Sequence, residues 1–212
     1  MIVQALWSHE SPLLQLPYLT RAMIHVLKEK GGVEDIADFM NMDDDLREKL
    51  VNLDQEQMAK LAAVCNRYPN LELGIENSPS ELSVSTSGSS GNSLDLVVSI
   101  KRDLEEADFD TKEEYLEELK VFAQPVHAPH YPLAKEEHWW IVVGQPSANR
   151  LLSIKKITNM QQRASLTTTL RVDIESDFLL RESESNQSRK VMDLKVYLMC
   201  DSYAGCDLEK DL

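Results

Sequence analysis

The run His138–Gly144, with the sequence HWWIVVG, limits the possible folds more than any other part of the chain. It is short, apolar, rich in residues that favour strands, and closed by a glycine. Side chains alternate across a strand, so Trp139 and Trp140 point to opposite faces. We therefore expect one indole ring to be largely buried and the other to be partly exposed. Burial of both rings in the core is the alternative.

Other segments of the second half of the chain also have the pattern of strands. Apolar residues recur at every second position or form short β-prone runs at 71–75, 94–100, 151–157, 166–172 and 192–203. Turn-forming residues separate these segments, and nothing resembles a repeated βαβ unit. The pattern therefore predicts an antiparallel β-sandwich.

Three polar segments lie between the predicted strands. The Ser/Gly-rich segment 83–93 is expected to be a flexible loop, and the polar segment 176–190 a mobile hairpin tip. The acidic segment 103–120 has apolar residues at helical spacing and could form a short surface helix. It is expected to be a solvated insertion, with contact to a basic partner as the alternative.

The first 70 residues have helical rather than alternating periodicity. Apolar spacing predicts short helices at 19–30 and 33–40, a third that opens at 43–45, and a fourth that Asp54 caps. Residues 1–18 are expected to form a short amphipathic tail and a turn, because prolines interrupt any long helix there. The predicted fold class is α+β: a helix-loop-helix cluster at 19–70, then the sandwich at 71–212.

The segment Asn66–Asn70, with the sequence NRYPN, is predicted to be a rigid joint between these two parts. It lacks the Gly, Ser or charge content of flexible linkers. Pro69 fixes its own φ and favours an extended conformation at Tyr68. We expect Tyr68 to pack at the junction and Arg67 to bind carboxylates or helix C-terminal carbonyls across it. Solvent exposure of Arg67, with Tyr68 packed on its own helix, is the alternative.

The formal net charge of −14 argues against general affinity for a nucleic-acid backbone, which requires clustered Lys and Arg. Lys155 and Lys156 form a basic pair in the predicted sandwich, and they are the candidate contact with RNA. No run of 18 apolar residues is present, so no membrane span is expected. Three cysteines are too few for a disulfide scaffold, which favours a reducing compartment.

No motif of catalysis or cofactor binding is found in the sequence. A phosphate-binding loop of the form G-x-x-x-x-G-K-[ST] is absent, and so is a G-x-S-x-G elbow. His127 and His130 lie in a Pro-rich loop without a helix to align them or cysteines nearby, so no metal site is predicted. Cys200 is expected to be a free buried thiol, and it could meet Cys206 only if the chain turns between them. We predict a chain with no catalytic, cofactor-binding or metal-binding residues.

Several stretches together carry the pattern of a known family: Ser11–Pro17, Gly32–Glu34, Cys65–Leu73, Trp139–Gly144, Leu151–Lys156 and Tyr197–Asp207. They resemble the C-terminal end of a Sec-63-type unit. The greatest similarity is to the second such unit of the Brr-type spliceosomal RNA helicases, the family of the 200 kDa helicase subunit of the U5 snRNP. The resemblance runs from Met1 to about Asp207, and Asn66–Asn70 and Cys200–Asp207 are its most specific parts.

The resemblance implies an order of domains that agrees with the periodicity. Residues 1–18 would be the tail of a preceding helical bundle, and 19–70 a helix-loop-helix domain. Residues 71–212 would be an immunoglobulin-like or fibronectin-type sandwich. Family members continue beyond the Gly-Cys-Asp stretch with one more strand, so the last strand of this sandwich is expected to be missing and one edge unpaired.

The resemblance also implies a function. It suggests a non-catalytic protein-interaction and regulatory module of a nuclear spliceosomal helicase, with other splicing proteins and the helicase cassette as partners. The RecA-like domains are not in this sequence, so no ATPase activity is carried over. The interaction candidates are Arg67, Tyr68, Trp139, Trp140, Lys155, Lys156 and Tyr203.

Two alternatives remain open at this point. One is an accessory domain that contacts RNA through the helical part around Arg67 or through the Lys155–Lys156 pair. The other is a component of protein translocation at the endoplasmic reticulum. The translocon protein that gives the Sec-63 domain its name has membrane spans and a J domain. Neither is present in this sequence, so this alternative is disfavoured.

Overall fold

A computed structural model of the 212-residue chain describes residues 2–76, 85–86, 92–104, 110–174 and 194–212. The chain is an α+β protein with helices and antiparallel sheets. It divides into two compact units. The first comprises Met1–Asn70, Phe109–Glu137 and Cys200–Cys206, and the second comprises Leu71–Asp108, His138–Met199 and Asp207–Leu212.

The helices of the first unit begin with a 3-10 helix at Pro12–Gln15. Four α-helices follow: α1 (Arg21–Gly31), α2 (Ile36–Asn41), α3 (Asp44–Val51) and α4 (Gln55–Cys65). The side chains of Thr20, Asp35, Asp43 and Asp54 accept hydrogen bonds from first-turn amides and so cap the four helices. The predicted helices are confirmed, with shifts of a few residues at their ends.

One apolar core joins these helices. The helical stripes contribute Leu27, Phe39 and Leu61, which are almost inaccessible to solvent. The segment before α1 contributes Leu13 and Leu16 to the same core. Burial of each such side chain stabilises the fold by roughly 1.5–3 kcal/mol. Residues 1–18 are therefore an integral part of this unit.

A fifth helix, α5 (Lys112–Phe122), also belongs to the first unit. Thr111 and Glu114 form a capping box at its start, and none of its residues is buried. The predicted surface helix is thus present, although residues 105–109 of the acidic segment lie outside the described part of the chain.

The second unit contains two four-stranded sheets. In the first sheet, β1 (Leu71–Ile75), β2 (Ser85–Thr86) and β6 (Ser165–Ile174) each pair antiparallel with the long strand β3 (Asn92–Arg102). In the second, β4 (Trp139–Gln145), β5 (Arg150–Ile157), β7 (Lys195–Cys200) and β8 (Leu208–Asp211) lie in the order β5-β4-β7-β8.

Each sheet has one buried apolar face, produced by alternation along its strands. The buried residues are Leu94, Leu96, Val98, Ile100, Leu170 and Val172 in the first sheet, and Trp139, Ile141, Val143, Val196 and Leu198 in the second. The sheets also meet at their edges. Lys155 of β5 donates to Thr168 of β6 over 2.5 Å, and Lys210 of β8 donates to the Leu73 carbonyl of β1 over 3.5 Å.

The end of the chain differs from the prediction. The strand expected at 192–203 is β7, which ends at Cys200, and the residues after Asp207 form β8. Strand β8 pairs antiparallel with β7, and Lys195 forms ion pairs with Glu209 and Asp211. Its four residues, Leu-Glu-Lys-Asp, have no apolar alternation, so the sequence pattern gave no signal for it.

The division into units also differs from the predicted ranges 19–70 and 71–212, because residues 110–137 and 200–206 group with the helices. In segment 83–93, Ser85–Thr86 and the start of β3 are strand residues rather than loop, since ladder hydrogen bonds use backbone groups and do not require apolar side chains. The predicted hairpin tip at 176–190 lies outside the described residues.

Candidate interaction site

The segment Cys200–Cys206, here called the 200–206 loop, is held in the first unit by two buried glutamines. The amide of Gln15 donates to the Ala204 carbonyl over 2.7 Å and accepts from the Ala204 amide over 3.1 Å. The amide of Gln4 donates to the Ser202 carbonyl over 2.8 Å. Both glutamines are 5% exposed. A paired buried amide of this kind contributes about 0.5–1.5 kcal/mol.

Tyr203 of this loop packs against Tyr68, and both are predicted site residues. Their ring centroids are 5.5 Å apart with planes at 79°, an edge-to-face arrangement. The Tyr68 hydroxyl donates to the Ala204 carbonyl over 2.9 Å. Burial raises the pKa of both phenols, so they are neutral at physiological pH. Both rings serve packing within the first unit, and the prediction that Asn66–Asn70 is a rigid joint stays a prediction.

The guanidinium of Arg67 bonds to three acceptors of its own unit. Its Nε donates to the Ala63 carbonyl over 3.0 Å, and its Nη1 donates to Gln124 Oε1 and to the Pro125 carbonyl, both over 3.2 Å. Ala63 lies in the last turn of α4, the helix that directly precedes Arg67, so the expected contact across the junction stays a prediction. Burial, together with the charge of Arg67, lowers the pKa of His127.

The second unit separates the two tryptophans as the alternation predicts. Trp139 is fully buried, whereas Trp140 is half-buried on the opposite face of β4. In the ladder with β5, Trp140 lies opposite Lys156 and Val142 lies opposite Ile154. These four residues share the outer side of the sheet and are called the Trp140 face below. The ammonium group of Lys156 lies 5.5 Å from the centre of the Trp140 ring, a cation–π contact.

The two lysines of the basic pair lie on opposite faces of β5. Lys155 is opposite Ile141 in the ladder, and its ammonium group donates to Thr168 Oγ1 and to the Thr169 carbonyl. Lys156 is on the Trp140 face. The pair therefore does not present two neighbouring charges to one phosphate chain, which weakens the case for RNA contact there.

Comparison with known proteins identifies the family. The model of the Sec63 Brl domain matches residues 1–212, the whole chain. The chain belongs to the Sec63 Brl domain family. This membership confirms the resemblance to a Sec-63-type unit.

Relatives of this Sec63 Brl domain chain carry names from splicing. The U5 small nuclear ribonucleoprotein 200 kDa helicases of Drosophila melanogaster and Homo sapiens are each 34% identical to it over 209 residues, or 99% of the chain. The pre-mRNA-splicing factor brr2 of Schizosaccharomyces pombe is 34% identical over 211 residues. The chain spans 8% of the length of each of these relatives.

The described part of this Sec63 Brl domain has His, Cys, Asp and Glu residues, the side chains that could bind a metal or react as nucleophiles. It contains no group of three or more His, Cys, Asp or Glu residues that could hold a metal ion. None of Cys65, Cys200 and Cys206 forms a disulfide bond. Burial raises the pKa of Cys65 to about 11, so at neutral pH it is an unreactive thiol rather than a nucleophilic thiolate. None of the helices described is both long and apolar enough to span a membrane.

Sequence reasoning missed Gln4 and Gln15, although a signal was available. Gln15 interrupts the apolar run Leu13–Leu16, and Gln4 lies between Val3 and Ala5. A single amide inside a run that is expected to pack needs buried hydrogen-bond partners. The partners could not be inferred, because 189 residues separate Gln15 from Ala204.

Proposed function

We propose that this chain acts as the Sec63 module of a U5 snRNP-type RNA helicase in pre-mRNA splicing, and that it works there as a non-catalytic, regulatory protein-interaction module. The observation that carries the proposal is 34% identity over 99% of the chain with proteins named as U5 small nuclear ribonucleoprotein 200 kDa helicases. Spliceosomal proteins and the remainder of a helicase are the proposed partners, and the nucleus is the proposed location.

The non-catalytic role has support from the chemistry of the described residues. The groups with the clearest potential for reaction are engaged in packing: Tyr68 and Tyr203 have raised pKa values through burial, and so does Cys65. Arg67 bonds to acceptors of its own unit. The sequence also lacks a phosphate-binding loop of the Walker type.

We further propose that the second unit is an immunoglobulin-like or fibronectin-type sandwich. Its support is the pair of four-stranded sheets, each with one buried apolar face, and the side-chain bonds that connect β5 to β6 and β8 to β1. Domains of this architecture present broad strand faces, which suit protein binding rather than catalysis.

Co-precipitation tests the proposed function. The protein that contains this chain would be tagged, precipitated from nuclear extract, and assayed for each small nuclear RNA by quantitative PCR. We expect enrichment of U5 over U1 RNA. A precipitate without U5 enrichment, or ATP hydrolysis by the purified 212-residue chain that a substitution in the chain abolishes, would contradict the proposal.

A further inference from the structure

The outer faces of the two sheets differ in chemistry. In the first sheet, the pairs on the side opposite the buried apolar residues are mainly polar, such as Asp95 with Arg171 and Lys101 with Ser165, and Val97 is the apolar exception. In the second sheet, the corresponding pairs are Trp140 with Lys156 and Val142 with Ile154. A polar outer face is what a solvated sheet requires, whereas an aromatic and aliphatic face is typical of a binding surface.

The apolar character of the second sheet continues beyond the Trp140 face. A Cβ atom added at Gly144 would lie 3.7 Å from the ring of Tyr197 on β7, so that ring lies beside β4. Met199 alternates with the buried Leu198 and is 43% exposed. On the opposite side of β4, Ile154 is 52% exposed. Three adjacent strands thus present accessible apolar side chains.

Among the four residues of the Trp140 face, Lys156 carries the charge. In the described part of the chain, Lys156 contacts the Trp140 ring and forms no ion pair with a carboxylate. On β7, the ammonium group of Lys195 forms ion pairs with two carboxylates, Glu209 at 2.9 Å and Asp211 at 3.4 Å, so it is not available to a further acidic group. An approaching acidic group would therefore meet a single uncompensated ammonium group beside an aromatic ring.

We propose that the Trp140 face binds a protein segment that carries carboxylates next to apolar residues. The inference deepens the proposed protein-interaction function and depends on it. Apolar partner residues would cover Trp140, Val142 and Ile154, and a carboxylate would pair with Lys156. Aromatic anchors surrounded by a polar rim supply most of the binding energy of protein interfaces.

Two other occupants fit the face less well. RNA needs several cations along its backbone or several planar rings on which bases stack, whereas the four residues that define the Trp140 face include one cation and one aromatic ring. A second copy packed through the same face would bring together two chains of net charge −14 and two copies of Lys156.

Selection of peptides tests the proposal. A phage library of random peptides would be selected on the 212-residue chain and, separately, on the charge-reversal variant K156E. We expect Asp or Glu beside apolar residues in peptides selected by the wild type, and Lys or Arg in place of the acidic residues after selection on K156E.

Synthetic versions of the selected peptides would then be measured by fluorescence anisotropy. K156E and I154D should each weaken binding of the acidic peptides by about tenfold or more, as hot-spot residues do. K112E and I2D are matched controls, because they make the same changes at exposed positions of the first unit. Thermal melting would show that all four variants fold.

Several results would overturn the proposal: no enrichment of acidic-apolar peptides, or equal affinity of the wild type and K156E for the selected peptides. Oligo(U) binding that K156E abolishes would assign the face to RNA, and self-association that I154D abolishes would assign it to a second copy. The test is separate from U5 co-precipitation, so the face can fail while the splicing role stands, and the reverse.

Discussion

At the scale of single residues, Trp139 and Trp140 show how alternation separates a structural role from a surface role. Replacement of the fully buried Trp139 by Ala should lower the free energy of unfolding by about 3–5 kcal/mol, because it removes apolar contacts and leaves a cavity. Replacement of the half-buried Trp140 by Ala should lower the free energy of unfolding by about 1 kcal/mol, mainly through loss of its cation–π contact with Lys156. Urea denaturation of the two Ala variants measures both values. Equal, large losses would mean that both rings are core residues.

Burial of the Cys65 thiol should make the folded chain less stable as pH rises into the alkaline range. An unfolded thiol has a pKa of about 8.5, whereas burial raises the pKa of Cys65 to about 11. Between these values the unfolded chain loses its thiol proton and the folded chain keeps it. The pKa of Cys65 is thus higher in the folded state than in the unfolded state. The stabilising contribution of the protonated thiol is therefore lost as pH rises.

The corresponding prediction compares the wild type with Cys65→Ala. The free energy of unfolding of the wild type should fall relative to that of the variant as pH rises from about 7 to about 10. The comparison removes the contributions of Tyr68 and Tyr203, which both proteins share. Urea denaturation at several pH values gives the difference, and a difference that does not change with pH would contradict the assignment.

At the scale of elements, the sequence predicted what depends on local pattern. Strands β1 and β3 are predicted by apolar residues at every second position, and β4 by its short β-prone run. The four helices are predicted by their apolar stripes and caps. Strand β8 was missed, since its contacts are a backbone ladder and ion pairs with Lys195 rather than apolar packing.

The residues of the candidate site also divide into those that a local sequence pattern predicts and those that it does not. The opposite environments of Trp139 and Trp140 follow from strand alternation, and the motif Cys200–Asp207 was recognised as specific. The reason for its specificity was not visible in the sequence: its carbonyls and amides bond to Gln4, Gln15 and Tyr68 from far along the chain. Long-range pairings of this kind leave no periodic signal.

The packing of the 200–206 loop also requires a residue without a side chain at position 205. Gly205 has φ +85°, and a Cβ atom there would lie 2.8 Å from Pro12 Cβ. Gly205→Ala should therefore lower the free energy of unfolding by about 1–2 kcal/mol for the left-handed backbone. Overpacking against Pro12 should lower it by a further 1–3 kcal/mol or so. Gly32→Ala is the matched control, because Gly32 has φ +67° but nothing within 4 Å of the added atom.

Thermal and urea denaturation of the two glycine variants isolates the steric effect. Gly32→Ala should show only the backbone cost, and Gly205→Ala should be clearly less stable. If both variants lose the same amount, contact with Pro12 does not limit the loop.

At the scale of the whole molecule, charge decides between protein and RNA as the partner. The chain has a net charge of −14, and of the Lys155–Lys156 pair only Lys156 is on the Trp140 face. Lys155 is occupied by Thr168 and Thr169. Overall repulsion from phosphate should therefore exceed any local attraction.

The resulting prediction is that the 212-residue chain does not bind RNA appreciably at physiological salt. Non-specific nucleic-acid binding proteins have Kd values of about 10⁻⁴ to 10⁻⁶ M under these conditions, and we expect this chain to bind a labelled single-stranded RNA more weakly. Fluorescence anisotropy at low and physiological salt measures it, with K155A/K156A as the matched variant. Micromolar binding that weakens steeply with salt and disappears in that variant would instead support an RNA-contacting domain, because such a slope counts phosphate contacts made by those two lysines.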